Sequence, residues 1–316
     1  MIATRDPGMF KVSVVMICRD GQAYLAEAIE SVLAQTVPGW ELLIVDDGSR
    51  DGSLDIAREY VKAEGARVRS LRSATDRSVG MSAARNTGLQ QASAEYVALL
   101  DCDDTWLPEK LEMQLALAGR HPDADVICGP TLYWRSWAGG TDTVRPLCVP
   151  PGMKEPPSLL AGMLRNELNA PATCSVLMRR TTALKLNGFE ETFPSMFEDR
   201  AFFTKVYLQA RVLVTDRYLD RYRQHDQSAS SAAQRRGDYH PRRASPAHYR
   251  FLKWVEDYLH LQHVPDPEIW SAWRTGMWPY LHPLRYQVMT RADACGAGDA
   301  LRRLRDVALR LTGTSS

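Results

Sequence analysis

Residues 95–104 read Glu95-Tyr96-Val97-Ala98-Leu99-Leu100-Asp101-Cys102-Asp103-Asp104, an apolar run followed by three carboxylates within four positions. The apolar part has the length and residue types of a buried β-strand, so the carboxylates are expected where that strand reaches the surface. Carboxylates this close repel one another, and a divalent cation that bridges to an anionic ligand would stabilise them. The alternative is an acidic turn that caps the helix expected after Pro108.

The composition is that of an ordinary globular protein. The chain has 316 residues, and its 39 basic and 38 acidic residues leave a net charge of +1. This balance gives no general attraction to nucleic acid, and we expect no nucleic-acid partner. No apolar stretch reaches the ~20 residues of a membrane span and the amino terminus lacks the apolar core of a signal peptide, which together predict a cytoplasmic protein. Six scattered cysteines without paired metal-ligand spacing are expected to be reduced.

Strand and helix patterns alternate over the first hundred residues. Strands are predicted at 12–18, 41–45 and about 67–71, and helices at about 25–33, 54–62 and 82–91. This alternation predicts an α/β fold with a single mixed, mostly parallel sheet flanked by helices, whose ligands bind at the carboxyl ends of the strands. The polar residues that follow the strands at 12–18 and 41–45 and the acid-tipped strand at 95–100 should therefore converge on one crevice: Arg19-Asp20, Asp46-Asp47 and Asp101 to Asp104.

A dinucleotide-binding fold would place a glycine-rich loop after the first strand, but that turn holds a single glycine, Gly21. A Walker-type Gly-Lys-Ser/Thr motif is also absent from the sequence. An acidic crevice without a glycine cradle needs a metal to hold a phosphate. Arg85 lies near the start of the helix predicted at 82–91 and could face an anion there, although a solvated helix residue is the alternative.

The second half of the chain divides into three parts. An aromatic-rich loop at 133–153 carries Tyr133, Trp134 and Trp137, which could stack on a sugar acceptor or pack against the sheet, and a strand is expected at 172–178. Residues 226–247, rich in Ser, Arg, Gln and Ala, are expected to form a mobile loop. Residues 248–316 are expected to form a C-terminal helical extension whose last helix, at 300–311, has an apolar face suited to docking, to a homodimer or to peripheral membrane contact.

The sequence resembles the family 2 glycosyltransferases, the inverting group with the A-type nucleotide-sugar-binding fold. The resemblance covers roughly residues 10–230 in the family's order. Its blocks are Tyr24-Leu25 through Thr36, Leu43-Ile44-Val45-Asp46-Asp47-Gly48-Ser49, Gly80 to Gly88, Leu100 to Asp104, Gly188-Phe189, Glu198-Asp199 and Tyr222-Arg223-Gln224-His225. Where relatives often have Pro-x-Tyr-Asn after the first strand, this chain has Ile17-Cys18-Arg19-Asp20, so the usual aromatic residue near the base is missing.

The resemblance implies a role for each matching position. Asp199 would be the catalytic base, and Glu198 beside it would orient the acceptor or raise the pKa of its neighbour. The nucleotide sugar would be bound by the end of the first strand, the acidic pair after the second, the basic helix residue and the first part of the Asp-x-Asp motif: Cys18, Arg19, Asp46, Asp47, Arg85, Asp101 and Cys102. The metal, Mn²⁺ or Mg²⁺, would be held by Asp103, Asp104 and His225.

The resemblance thus predicts a metal-dependent inverting glycosyltransferase that moves a sugar from a nucleoside-diphosphate sugar to a glycan, a lipid-linked acceptor or a small molecule. Residues 1–225 would be its catalytic domain, with a nucleotide-binding half at about 10–130 and an acceptor-side half at 131–225. Its location would be cytoplasmic or peripheral at the inner face of the membrane. Two other function classes stay open, a nucleotidyltransferase acting on a sugar phosphate and a non-catalytic nucleotide- or nucleic-acid-binding module.

Overall fold

The computed structural model describes residues 10–72, 78–193, 195–241 and 243–294. The chain divides into two compact units, of which the first comprises residues 1–158 and 169–232 and the second residues 159–168 and 233–316. Both β-sheets lie in the first unit. The second unit, over its described residues, is helical.

The first unit begins as the alternation predicts, with strands and helices in turn. Its strands are β1 (Val12–Cys18), β2 (Trp40–Asp46), β3 (Val68–Arg72), β4 (Tyr96–Asp101), β5 (Thr105–Trp106), β6 (Val126–Cys128), β7 (Thr131–Trp134), β8 (Thr143–Arg145), β9 (Gly152–Lys154), β10 (Leu177–Arg179), β11 (Val212–Val214) and β12 (Asp220–Arg223). Its helices are α1 (Leu25–Leu33), α2 (Ser53–Glu64), α3 (Met81–Gln91), α4 (Lys110–Arg120), α6 (Arg180–Lys185) and α7 (Glu198–Gln209), while α5 (Leu160–Leu164) belongs to the second unit.

The large sheet has eight strands in the order β3-β2-β1-β4-β10-β6-β11-β9. Strands β3, β2, β1 and β4 run parallel, and β10 is antiparallel to both of its neighbours. In this register Ile17 lies opposite Val45 and Asp101, so the residues after β1, β2 and β4 share one edge of the sheet. The predicted mixed, mostly parallel α/β fold is therefore confirmed, and the residues predicted to form the crevice follow strands that end at one edge.

The central strands are buried on both faces, as expected for parallel strands between helix layers. Helix α3 packs closely on β1 because its Gly88 has no side chain. A Cβ atom added at Gly88 would lie 2.2 Å from Cγ1 of Val15, which is closer than any real contact.

Replacing Gly88 by Ala should lower the free energy of unfolding by about 1–3 kcal/mol, because the methyl group would force α3 away from β1. The matched control is Gly119→Ala in α4, where no described atom lies within 4 Å of the added Cβ. There the better helix propensity of Ala should stabilise the protein by up to about 1 kcal/mol. Urea unfolding of both variants measures the difference, and equal effects would contradict the packing argument.

A second, four-stranded sheet has the order β5-β12-β7-β8, and the sequence did not predict it. Its strands have only two to four residues, which is too short for a reliable alternation of apolar and polar positions. Strand β5 directly follows Asp104, and β12 ends two residues before His225. This small sheet therefore brings the end of β12 beside the acidic segment that follows β4.

The second unit contains α5 together with α9 (Pro246–Leu261), α10 (Pro267–Leu281) and α11 (Pro283–Ala294). Helix α10 begins at an Asp266 cap that accepts hydrogen bonds from the N–H groups of Glu268 and Ile269. Trp273 lies between helices and donates its Nε1–H to the carbonyl of Leu252 at 2.8 Å. These helices confirm the predicted helical character of the C-terminal region.

Two local elements differ from those predicted from the sequence. The strand expected at 172–178 is a short 3-10 turn followed by β10, and helix α8 (Ala229–Arg235) lies within the loop expected at 226–247. The helix expected at 300–311 lies outside the described residues. Of the helices in the described part of the chain, none has the length and apolarity needed to cross a membrane.

Candidate active site

Arg85 lies at the centre of the candidate site. Helix α3 points it inward, where only 2% of the residue is exposed. Its Nη2 donates to both carboxylate oxygens of Asp101 at 2.8 and 3.0 Å, and its Nη1 donates to Oε1 of Glu198 at 3.3 Å. Burial acts to lower the pKa of Arg85, but the two carboxylates outweigh burial and raise it. One buried cation therefore joins the end of β4 to the start of α7.

The predicted contact of Arg85 with the base or the diphosphate of a donor does not fit this position. Both Nη atoms of the guanidinium already donate to protein carboxylates, and these bonds occupy most of its five N–H donors. A solvated helix residue, the alternative reading of the sequence, does not fit either. Arg85 instead sets the distance between Asp101 and Glu198, which are far apart in the sequence.

The pair Glu198-Asp199 forms the first turn of α7. Phe197 precedes it with a φ of 69°, a left-handed conformation that a bulky residue adopts only when its surroundings enforce it. Burial, and after it the charge of Asp199, raises the pKa of Glu198 to about 7, while Arg85 acts in the opposite direction. Asp199 is only partly buried, and its Oδ1 accepts a hydrogen bond from the Arg200 N–H at 2.7 Å.

The raised pKa of Glu198 predicts a pH-dependent contribution to stability. The folded state holds this proton more tightly than the unfolded chain, whose ordinary pKa is 4.5, so the contribution is full below pH 4.5 and is lost as the pH rises through about 7. The free energy of unfolding of the parent, relative to Glu198→Gln, should fall by up to about 3 kcal/mol across this window. Urea unfolding of both proteins between pH 5 and 8 tests this, and a pH-independent difference would contradict it.

Asp103 and His225 come together although they lie 122 positions apart in the sequence. His225 Nε2 lies 2.9 Å from Oδ2 of Asp103, and the imidazole packs against the Tyr24 ring at a centroid distance of 4.9 Å. The imidazole is largely buried, whereas the Asp103 side chain is 29% exposed. His225 Nδ1 is also buried and has no hydrogen-bond partner among the described residues. The structure thus joins two of the three predicted metal ligands.

These two residues fit a divalent metal in donor chemistry and in spacing. In this structure the two atoms form a hydrogen bond of 2.9 Å, and this is also close to the separation of about 3 Å between neighbouring ligands of an octahedral Mg²⁺ or Mn²⁺ ion. The described residues contain no group of three or more His, Cys, Asp or Glu side chains that could hold a metal. A two-residue site suits ions that take the rest of their ligands from water and from substrate phosphates.

Asp104, the third predicted metal ligand, is held by the protein through one of its two carboxylate oxygens. It is fully buried, and its Oδ1 accepts a hydrogen bond from the Arg223 N–H at 2.9 Å. Burial, together with the charges of Asp103 and Asp101, raises its pKa well above the ordinary range. Its Oδ1 thus tethers the segment after β4 to β12, while its buried Oδ2 has no hydrogen-bond partner among the described residues.

The acidic pair after β2 also has partners within the protein. Asp47 Oδ1 accepts the Val79 N–H at 2.8 Å, and its Oδ2 accepts the Ser78 hydroxyl at 2.6 Å and the Gly80 N–H at 3.1 Å. Asp47 therefore fixes the loop before α3 and uses three of the roughly four acceptor sites of its carboxylate in doing so. Asp46 keeps one buried oxygen, Oδ2, without a hydrogen-bond partner among the described residues. Of the pair, Asp46 is thus the better candidate for a ligand contact.

Of the other residues predicted to bind the donor, Arg19 lies at the surface and Cys18 and Cys102 are buried. Arg19 is exposed and donates to the Ser78 hydroxyl at 3.0 Å, so it lies beside the loop that Asp47 fixes. Cys18 and Cys102 are buried against Gly21, where an added Cβ would lie 3.0 and 2.6 Å from their sulfur atoms. Direct side-chain contact of either cysteine with a donor does not fit this burial.

The sequence assigned no role to Arg223, although it stands two residues before His225. The structure places its side chain against the Asp103 backbone. The signal available in the sequence was a single arginine within the block that contains His225, and spacing alone cannot show which way that side chain turns.

The family model described as "Glycosyl transferase family 2" matches residues 13–176 of the chain. The chain is 31% identical over 180 residues to the "Putative glycosyltransferase EpsE" of Bacillus subtilis strain 168, covering 57% of this chain and 60% of that protein. It is 36% identical over 108 residues to the Escherichia coli "UDP-Glc:alpha-D-GlcNAc-diphosphoundecaprenol beta-1,3-glucosyltransferase WfgD", covering 34% of this chain and 41% of that protein. The chain thus matches less than two thirds of the length of these relatives.

Solved structures of glycosyltransferases resemble nearly all of the chain, and two of them illustrate the match. Residues 1–349 of S. aureus TarS in complex with UDP-GlcNAc match with a TM-score of 0.60 and 17% identity, covering 95% of this chain and 92% of that one. The mannosyltransferase PcManGT from Pyrobaculum calidifontis, in complex with GDP-Man and Mn²⁺, matches with a TM-score of 0.54 and 17% identity, covering 99% and 86%. At these identities the likeness concerns the fold, and it confirms the predicted A-type fold.

Proposed function

Because the chain belongs to glycosyl transferase family 2 and is a glycosyltransferase, we propose that it moves a sugar from a nucleoside-diphosphate sugar to an acceptor hydroxyl with inversion at the anomeric carbon, using Mn²⁺ or Mg²⁺. The observation that carries this proposal is the pairing of Arg85 with both Asp101 and Glu198. This pairing brings the Asp-Cys-Asp motif after β4 and the Glu-Asp pair of α7 to one site.

Each half of the site has a chemical task in this proposal. The metal, when bound, supplies positive charge to the departing diphosphate, and Asp103 and His225 are the residues that would hold it. Asp199 takes the proton from the attacking hydroxyl, because it is the more exposed carboxylate of the pair on α7. A single base and attack from the face opposite the leaving group invert the anomeric configuration.

Glu198 and Asp46 have supporting tasks. With a pKa of about 7, Glu198 is partly protonated near neutral pH, so it can donate a hydrogen bond to an acceptor oxygen or accept one from it. The unpartnered oxygen of Asp46 lies at the end of β2, at the edge that also carries the Asp-Cys-Asp motif, and it would receive a donor N–H or hydroxyl group.

We place the transfer in the synthesis of a cell-surface polysaccharide or other glycoconjugate, at the inner face of the membrane. The support is the similarity to WfgD, a glucosyltransferase that acts on a diphosphoundecaprenol-linked acceptor. A lipid-linked, glycan or small-molecule acceptor fits the proposal. Residues 1–225 would be the catalytic domain and 248–316 a helical extension.

The proposal is tested by donor binding and donor hydrolysis. UDP- and GDP-sugars are screened by thermal shift with and without Mn²⁺, since a ligand that binds only the folded state raises the melting temperature. The donor that gives the largest Mn²⁺-dependent shift is then incubated with the protein, with EDTA as the control. Release of nucleoside diphosphate that EDTA stops is expected. Release of pyrophosphate from a nucleoside triphosphate would indicate a nucleotidyltransferase, and no binding or release would indicate a non-catalytic module.

A further inference from the structure

Arg223 contacts the segment after β4 through both its backbone and its side chain. Its N–H donates to Oδ1 of Asp104 at 2.9 Å, and its Nε donates to the backbone carbonyl of Asp103 at 2.7 Å. These two hydrogen bonds from Arg223 therefore fix the backbone at Asp103 and Asp104, and with it the position of the Asp103 carboxylate. Because His225 lies two residues further along the same chain segment, Arg223 ties the two proposed metal ligands together.

The guanidinium of Arg223 is itself held on several sides. Its Nη2 donates to Oε2 of Glu27 on α1 at 2.5 Å, and only 3% of its side chain is exposed. Its central carbon lies 4.3 Å from the ring centroid of Trp134, 4.9 Å from that of Tyr24 and 5.0 Å from that of Trp137. An arginine enclosed in this way keeps one rotamer, because its planar group can donate along its edge while its faces contact aromatic rings.

The same aromatic residues fix the backbone between Arg223 and His225. The Gln224 N–H donates to the Trp134 carbonyl at 3.0 Å, and Nε1 of Trp137 donates to the Gln224 carbonyl at 3.2 Å. Tyr24 contacts the His225 imidazole as well as the Arg223 guanidinium. The rings at 134 and 137, for which the sequence left acceptor stacking open, thus enclose Arg223 in this structure.

We propose that Arg223 is a positioning residue that holds Asp103 and His225 at the spacing a divalent metal requires. This inference rests on the proposed function and deepens it. Arg223 is not a catalytic residue, since it contacts neither of the two proposed ligand side chains. Its effect should therefore appear in the affinity for the metal, with little effect on the chemical step once the metal is bound.

The test is Arg223→Lys, measured by electron paramagnetic resonance titration of Mn²⁺ in the presence of UDP and, in parallel, GDP. A lysine keeps the charge but cannot donate to the Asp103 carbonyl while it pairs with Glu27 and lies flat between aromatic rings. We expect about a 10- to 100-fold loss of Mn²⁺ affinity, the usual effect of losing a group that orients metal ligands. The rate of donor hydrolysis should recover toward the parent value when Mn²⁺ is raised to saturation.

Arg221→Lys is the matched control. Arg221 lies on the same strand and stacks on Trp134 at 5.5 Å, but it has no described hydrogen bond to Asp103 or Asp104, so Mn²⁺ affinity should not change. If Arg223→Lys fails to fold, Glu27→Gln provides the test. Glu27 is half exposed, and its change to Gln weakens the ion pair that holds the guanidinium, so Mn²⁺ affinity should fall several-fold.

Each outcome has a distinct meaning. A parent protein that binds nucleoside diphosphate equally with and without Mn²⁺ would overturn the proposed metal site and this inference with it. A parent that binds Mn²⁺ together with variants that bind it equally well would overturn the role of Arg223 and leave the proposed function intact. A loss of rate in Arg223→Lys that persists at saturating Mn²⁺ with unchanged affinity would also overturn it.

Discussion

Asp199→Asn is expected to lower the rate of sugar transfer by roughly 10² or more, in line with the contribution of a general base. Asparagine keeps the shape of the side chain and its ability to accept the Arg200 N–H, but it cannot take the proton of the acceptor. Donor affinity should hardly change, because an interaction used only in the transition state lowers turnover without lowering ground-state binding. The measurements are donor affinity by calorimetry and transfer rate, or slow donor hydrolysis where no acceptor is at hand.

The matched control is Asp55→Asn, which also changes an aspartate in the first turn of a helix, α2. Asp55 is exposed and pairs with Arg58, so neither rate nor affinity should change. If Asp199→Asn transfers sugar at nearly the parent rate, the assignment is wrong. The base would then be sought at Glu198, whose pKa of about 7 makes it a competent proton acceptor near neutral pH.

The position of the site could be predicted from the sequence because it follows from backbone topology. Apolar runs such as 12–18 and 95–100 specify buried parallel strands, and the carboxyl ends of parallel strands share an edge. Placing His225 near Asp103 required the family resemblance, since no local pattern links positions so far apart. The short strands β5 and β12, which bring them together, carry too few residues to show a pattern.

The roles of individual side chains were harder to predict, because sequence spacing does not show whether a charge faces a ligand or another residue. Arg85, Asp47 and Asp104 were all expected to contact donor or metal, yet each is buried with partners inside the protein. A buried charge is stable only when it is paired or hydrogen-bonded. The hydrogen bonds of these three residues therefore also hold the surrounding loops and helices in place. Among the predicted site carboxylates, Asp103 and Asp199 are more exposed, so they are the better candidates to bind a metal and to take a proton.

Asp103→Asn should abolish Mn²⁺-dependent binding of nucleoside diphosphate while leaving the fold intact. The variant removes one of only two proposed protein ligands, and an amide is a poor substitute for a carboxylate at a divalent ion. The asparagine oxygen can still contact His225 Nε2, and one negative charge fewer lies beside Asp101, so the melting temperature without ligand should change little. Calorimetric titration with UDP and GDP, with and without Mn²⁺, measures the first effect, and thermal unfolding measures the second.

Asp104→Asn is the sharpest control, because it changes the adjacent carboxyl group in the same way. An asparagine there can still accept the Arg223 N–H through its side-chain oxygen, and the raised pKa of Asp104 means that the site already favours a neutral group. Mn²⁺-dependent binding should therefore survive in Asp104→Asn and disappear in Asp103→Asn. Unchanged binding in Asp103→Asn would remove Asp103 from the site, and loss in both variants would return Asp104 to the set of metal ligands.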